Sequence, residues 1–199
     1  MGKLEVKKQK KKDALLNTAF ELFVSKGIQK TSISDIVEKA GVAKGTFYLY
    51  FTDKYDLRNK LIAHKANQLF QDAYNAMHQK SFESFEDQVV FLSDYIIDRL
   101  AEDRSLLMLL SKHLSWGLFK NALTAPDPDS EKNVYEIYEQ IISESGRKLK
   151  HPEIMIYMIA ELVSGSIYSP ILYQQPVSLD EIKPYIYDNI RYLVRSHLE

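Results

Sequence analysis

Gly41-Val42-Ala43-Lys44-Gly45-Thr46-Phe47-Tyr48-Leu49-Tyr50-Phe51 is the stretch on which the reading of this chain turns. Just before it, Thr31-Ser32-Ile33-Ser34-Asp35-Ile36-Val37-Glu38-Lys39-Ala40 has the marks of a short helix. Ser32 is placed to cap its N-terminus, and Asp35, three residues on, completes a capping-box-like pair. Gly41 ends it, because glycine takes the left-handed conformation without a Cβ penalty. A second short helix restarts almost at once. Two helices of about seven residues each, joined by a short turn that contains glycine, make the helix-turn-helix pattern.

The second helix has two distinct faces. At about 100° per residue, Phe47 and Phe51 fall together and are expected to pack on Ile33, Ile36 and Val37. The opposite face carries Gly45, Thr46 and Leu49, flanked by Lys44, Tyr48 and Tyr50. A glycine, a hydroxyl, a cation and two phenols suit a DNA groove. Gly45 admits close approach of the backbone, Thr46 can meet a phosphate or a base edge, and Leu49 suits a thymine methyl.

These residues resemble the DNA-reading signature of the tetracycline-repressor (TetR) family of bacterial transcriptional regulators. The matching runs are Thr31 to Ile36, Gly41 to Phe51, and Asp53-Lys54-Tyr55-Asp56-Leu57, so the resemblance covers roughly the first third of the chain. Ala43 stands where the family often has a serine, and Leu49 stands at a variable position, as a residue that selects the operator should. The resemblance implies a homodimer on a double-stranded DNA operator, released by a small molecule bound in the C-terminal domain. It also implies that Lys44, Tyr48, Tyr50 and Lys54 hold the phosphate backbone with help from Ser32 and Ser34, while Gly45, Thr46 and Leu49 face the bases. Lys54 sits at the N-terminus of the following helix, where the dipole and free N–H groups favour a phosphate.

Charge agrees with that division. The 199 residues carry a formal net charge of −1, but residues 1–60 hold 13 Lys and Arg against 7 Asp and Glu, and the remainder 13 against 20. A basic head on an acidic body is the layout of a DNA-binding domain on a body that avoids DNA. Cysteine is absent, which excludes disulfides, thiolate metal sites and a cysteine nucleophile, and fits a reducing cytoplasm. No apolar run follows the basic N-terminus, so a signal peptide is not expected. The stretch from Ile154 to Tyr173 is poor in charge, yet it contains Glu161, Gly165, Pro170 and three serines, and reads as a buried helix more than a membrane span.

The expected domains are 1–54, with a basic arm over 1–12, and 55–199. Lys3 to Lys12 reads as a flexible arm, disordered or laid along a DNA backbone. A first helix follows with Leu15, Leu16, Ala19, Leu22 and Phe23 inward, and Asp53 is expected to cap a long fourth helix. Beyond Ser84 the pattern is helical throughout: about Asp87 to Ala101, Ser105 to Leu123, Glu131 to Lys148, Pro152 to Tyr173, and a last helix behind a Ser178/Glu181 capping box. The fold expected is therefore all-α: an N-terminal three-helix bundle with the helix-turn-helix, then a larger helical ligand-binding and dimerisation domain.

No metal-ligand spacing, nucleophile elbow, P-loop or dinucleotide glycine run occurs, so neither a catalytic residue nor a cofactor or metal is assigned. The rival to a ligand-responsive repressor is an interaction adaptor that kept the fold without specific DNA binding; Lys44, Tyr48 and Lys54 argue against it. A dimer through the last two helices is expected, with Ala160, Ser164 and Gly165 permitting close approach. For the ligand, Glu161 is the one carboxylate between Ile154 and Tyr173. With Tyr157, Tyr168, His113, Trp116 and Phe119 it is expected to line an aromatic cavity for a cationic or hydrogen-bonding molecule. The alternative for Glu161 is an ion pair across the dimer, or solvent.

Overall fold

The computed structural model describes residues 3–111 and 133–199. Among them the elements are α1 (Lys3–Lys26), α2 (Ile33–Lys39), α3 (Lys44–Tyr48), α4 (Lys54–Met77), α5 (Phe85–Glu102), α6 (Arg104–Ser111), α7 (Val134–Ser145), α8 (Pro152–Tyr173) and α9 (Leu179–His197). The chain divides into two units at Ala63/His64, a boundary that falls inside α4. The architecture is all-α, an N-terminal helix-turn-helix bundle followed by a larger helical domain.

In the N-terminal unit each short helix is held at its start or by its buried face. Ser32 Oγ accepts from the Asp35 N–H at 3.1 Å, and the Asp35 carboxylate accepts from the Ser32 N–H at 2.9 Å, a reciprocal capping box. Asp35 also pairs with Lys26 at 2.7 Å, and Lys39 with Glu21 at 2.9 Å, so two ion pairs tie α2 to α1. Gly41 takes φ +66°, the left-handed turn that only glycine adopts without strain. Leu15, Ala19, Ile36, Phe47, Leu57 and Leu61 are fully enclosed. Asp53 caps α4 by accepting from the Tyr55 and Asp56 N–H groups.

One element departs from the sequence reading. Lys3 to Lys12, expected as a loose arm, forms the first turns of α1. The lysine run lacks an apolar face over those residues, which is why it reads as disordered. Lysine is nevertheless a good helix former, and the chain propagates a helix already nucleated by the Leu15–Ala19 face.

In the C-terminal unit, α8 buries Met155, Ile159, Val163, Ile167 and Ile171, a row at four-residue spacing. Helix α9 answers with Ile186, Ile190 and Val194. Its start carries the Ser178/Glu181 capping box that the sequence announced, and Pro152 opens α8 at its first turn. Helix α5 runs antiparallel to α9 along a ladder of ion pairs. Glu86 meets Arg195 at 3.2 Å, Asp87 meets Arg191 at 3.2 Å, and Lys183 meets Asp94 at 2.7 Å and also Asp98. Burial alone would lower the Lys183 pKa, but the hydrogen bonds to Asp94 and Asp98 outweigh it and hold the ammonium above the usual lysine range.

The capping box has a measurable acid signature. The Lys26 ammonium first, and the Ser32 backbone N–H next, hold the Asp35 carboxyl at about 2, down from 3.8. Its stabilising effect on α2 is therefore complete above 3.8 and is lost as pH falls through about 2. The Asp35 carboxyl carbon and the Ser32 amide, followed by NMR, are expected to titrate together near the lower value. A midpoint at the ordinary aspartate value would remove the capping interpretation.

Candidate functional site

The exposed surface of the helix-turn-helix follows from what its other side buries. Phe47 is wholly enclosed and Phe51 nearly so, their rings 5.5 Å apart. With Phe47 pointing inward from a helix of one and a half turns, Lys44, Gly45, Tyr48 and Leu49 must face solvent. Tyr48 is 53% exposed and Leu49 78%. Thr46 is half-buried beside them, and Ser32 and Ser34 are exposed at the start of α2. A Cβ built on Gly45 would meet open space, so its lack of a side chain leaves the backbone bare outward. Helix α3 has no side-chain cap, because Ala43 offers no acceptor.

Two of the expected backbone contacts have other partners. The Tyr50 hydroxyl donates to the Lys8 carbonyl of α1 at 3.0 Å. The Lys54 ammonium donates to three carbonyls, Ile28 at 3.0 Å, Gln29 at 3.3 Å and Thr31 at 3.1 Å. Those carbonyls belong to the α1–α2 connection. All three N–H directions of the ammonium are thus engaged within the N-terminal unit. Thr31 beside it is buried, its hydroxyl donating to the Gly27 carbonyl at 2.8 Å. The signal available in sequence was the run Gly27-Ile28-Gln29-Lys30-Thr31, a turn whose carbonyls need a donor once folded.

The C-terminal unit holds a chamber among α4, α5, α6, α7 and α8. Its walls include Phe70, Leu92, Ile96, Ile137, Met155 and Ile159. Among the described lining residues the hydroxyl groups are those of Ser93, Ser164 and Tyr138. Each donates within the protein: Ser93 to Val89 at 2.9 Å, Ser164 to Glu161 at 3.4 Å, and Tyr138 to Pro152. Burial, then the nearby Tyr135 and Glu153, pushes the Tyr138 phenol above its ordinary value. The chamber therefore presents carbon and no charged group among the described residues.

The sequence reading of the chamber is corrected on the residues that can be placed. Glu161, Tyr157 and Tyr168 do not line it, and Glu161 is exposed. The lining from α8 is Met155, Ile156, Ile159, Ala160, Val163, Ser164 and Ile167, the face turned away from Glu161. Glu161 reaches solvent because α8 is apolar all round while only one side of it packs within this chain. Ala160 and Ser164 accordingly belong to the chamber wall, and only Gly165 of the three small residues is outward. His113, Trp116 and Phe119 lie outside the described residues. Among the described residues no group of three or more His, Asp or Glu side chains is placed to hold a metal ion.

Residues 15–61 match the sequence pattern of bacterial regulatory proteins, tetR family. An uncharacterized HTH-type transcriptional regulator, YvdT of Bacillus subtilis (strain 168), is 46% identical over 63 residues, 30% of this chain and 32% of that one. A fatty acid metabolism regulator protein of the same organism is 26% identical over 100 residues, 50% of each chain. The match thus spans about a third of one of these relatives and half of the other. A solved structure of the transcriptional regulator FadR from Bacillus subtilis, in complex with stearoyl-CoA, shares the fold with a TM-score of 0.60 at 20% identity, over 91% of this chain and 96% of that one.

The position of Lys54 yields a test that separates a clamp from a phosphate contact. Lys54→Gln is expected to destabilise the N-terminal unit by about 1–2 kcal/mol, through three carbonyls left short of a donor. The salt dependence of duplex affinity is expected to stay as in the unaltered chain. A slope flattened by about 0.9, the counterion share of one phosphate, would instead place Lys54 on DNA.

Proposed function

Because this chain belongs to the tetR family of bacterial regulatory proteins, we propose that it is a cytoplasmic DNA-binding transcriptional regulator. It acts as a repressor that leaves its operator when a small molecule fills the chamber of the C-terminal unit. The observation that carries the DNA half is the presentation of residues 44–49. Phe47 is locked beneath, and Lys44, Gly45, Tyr48 and Leu49 are held outward on a surface with a bare backbone. Lys44 and Tyr48 take phosphates, with Ser32 and Ser34 beside them. Gly45, Thr46 and Leu49 meet base edges, Leu49 against a thymine methyl.

One such head reads too few base pairs to select a site, so the active species is a two-fold dimer whose recognition helices meet half-sites about 34–36 Å apart or a multiple of the helical turn. The surface available for it is apolar and uncovered in a single chain. Ile154 is 50% exposed and Met158 42% on α8, and Tyr185 and Tyr192 are each 71% exposed on α9. A second copy laid on this face would bury them.

The effector follows from the chamber. With its hydroxyl protons committed inward and no charge on its described walls, it favours an aliphatic, uncharged group over an aromatic cation. The acyl chain of stearoyl-CoA, the ligand in the FadR complex of Bacillus subtilis, is a group of this kind. Occupancy would act by population shift, favouring a form whose recognition helices are wrongly spaced. Helix α4 is the route, since Ala66, Leu69 and Phe70 line the chamber and Lys54 at its first turn grips the α1–α2 connection.

Selection of duplexes from a random-sequence pool is expected to enrich one palindromic site. Leu49→Ala should change the enriched sequence, and Tyr48→Phe should weaken all duplexes about equally. Failure to enrich any sequence would sink the regulator reading. For the effector, a long-chain fatty acyl compound is expected to raise the Tm, and an aromatic quaternary ammonium is not. Ala160→Phe, which fills the chamber, should abolish that shift while leaving duplex affinity in place; equal shifts from both ligands would refute the aliphatic assignment.

A further inference from the structure

The N-terminal unit holds more positive charge than its recognition helix uses. Residues 3–12 contain six lysines and one glutamate, +5 of the net +6 of residues 1–60. Elsewhere in the unit the cations are mostly committed. Lys26 and Lys39 pair with Asp35 and Glu21, Lys60 pairs with Asp56, and Lys54 serves three carbonyls. Helix α3 itself contributes one, Lys44. By contrast Lys7, Lys8, Lys10 and Lys11 are exposed, and none of them meets a carboxylate among the described residues.

Those four lysines repel one another along the helix. Lys7 and Lys11 are one turn apart on one face, and Lys7/Lys10 and Lys8/Lys11 are paired at three-residue spacing, so like charges confront each other. An ordinary solvated face mixes signs; this one accumulates a single sign against that repulsion. A polyanion laid alongside would relieve it.

The structure also places these turns beside the recognition helix. Tyr50, two residues beyond the end of α3, donates its hydroxyl to the Lys8 carbonyl at 3.0 Å. That carbonyl belongs to the extension itself, so the extension and the end of α3 are tied directly. The family pattern matches residues 15–61, so the basic turns lie outside the matched stretch.

We propose that the first turns of α1 are a second duplex-binding surface, in which Lys7, Lys8, Lys10 and Lys11 contact backbone phosphates flanking the site read by α3. The proposal rests on the DNA-regulator reading and assigns where its electrostatic affinity comes from. Tyr50 is then a positioning residue, holding the extension against the recognition helix and not itself touching phosphate.

The test uses the full chain and two duplexes, one enriched from a random pool and one of arbitrary sequence. Affinity is measured against salt for the unaltered chain, for the fourfold variant Lys7→Gln, Lys8→Gln, Lys10→Gln, Lys11→Gln, and for Tyr50→Phe. The fourfold variant is expected to lose about 2–4 units of slope in log affinity against log salt for each bound protomer, on both duplexes alike. Its preference for the enriched duplex should persist. Tyr50→Phe keeps every charge and should weaken binding several-fold with little change of slope. Far-UV circular dichroism of the free fourfold variant should be at least as helical as the unaltered chain, since repulsion is removed, so lost slope cannot be ascribed to unfolding. An unchanged slope in the fourfold variant overturns the proposal. An unaltered chain that binds both duplexes equally defeats the regulator reading, yet the slope comparison still decides the extension. One that binds neither defeats both.

Discussion

A helix of five residues has no stability of its own, because the cost of its first turn is not repaid by so few backbone bonds. Helix α3 exists as a helix because Phe47 and Phe51 are buried against the rest of the N-terminal unit. Enclosing a phenylalanine side chain is worth about 1.5–3 kcal/mol, more than a single cap supplies, and Ala43 supplies no side-chain cap at all. The same burial fixes the rotation of the helix about its axis. Once Phe47 points in, Leu49 and Tyr48 have nowhere to go but outward. The proposed reading surface is thus the complement of an aromatic core.

Polar groups then lock the geometry that the aromatic core orients. The Asp35 carboxylate joins the start of α2 to the end of α1 through Lys26, while its own capping bond holds α2. Lys54 reaches from the first turn of α4 to three carbonyls between α1 and α2. The connection gripped by Lys54 leads straight into the residue that caps α2, so a displacement at the start of α4 is transmitted to α2 through hydrogen bonds and not through packing alone. A lysine flexible in isolation becomes a fixed strut once its three protons have acceptors at one place.

What could be read in the sequence was what is local. Ser32 with Asp35, Gly41, Asp53, Pro152, and Ser178 with Glu181 act within a turn or so of themselves, and the structure places each in the role its spacing announced. The faces of α2 and α3 were legible for the same reason. For Glu161 the sequence left a pocket and a solvent-facing place both open, because its helix is apolar on most sides and periodicity could not say which side is covered within one chain. The chamber was illegible because its walls come from five helices, none of which marks the residues that turn toward the others. The α5–α9 ladder likewise joins residues 85 to 109 positions apart, and nothing in either helix alone names its partner. The basic turns of α1 failed on a different ground: hydrophobic periodicity is blind to a helix that continues out of a core by propensity.

The ladder also bears on how the walls of the chamber are held. Helix α5 shows Phe85, Val89, Leu92 and Ile96 to the chamber. Around the same helix, Glu86, Asp87, Asp94 and Asp98 are held to α9. Exposed ion pairs are individually weak, but here they are spread along the length of the helix, and Lys183 is only 16% exposed between two carboxylates. Sliding α5 along α9 would break all of them together and leave the Lys183 charge partly desolvated, a penalty larger than the loss of any one. Helix α4 is braced in its own way: Asn67, within its chamber-lining turn, accepts from the Val134 N–H at 3.2 Å, and the Tyr74 hydroxyl donates to Glu144 at 3.1 Å. Two chamber walls are thus tied to a neighbour, α5 to α9 by charge and α4 to α7 by hydrogen bonds, so a guest that fills the chamber meets polar constraints on both sides.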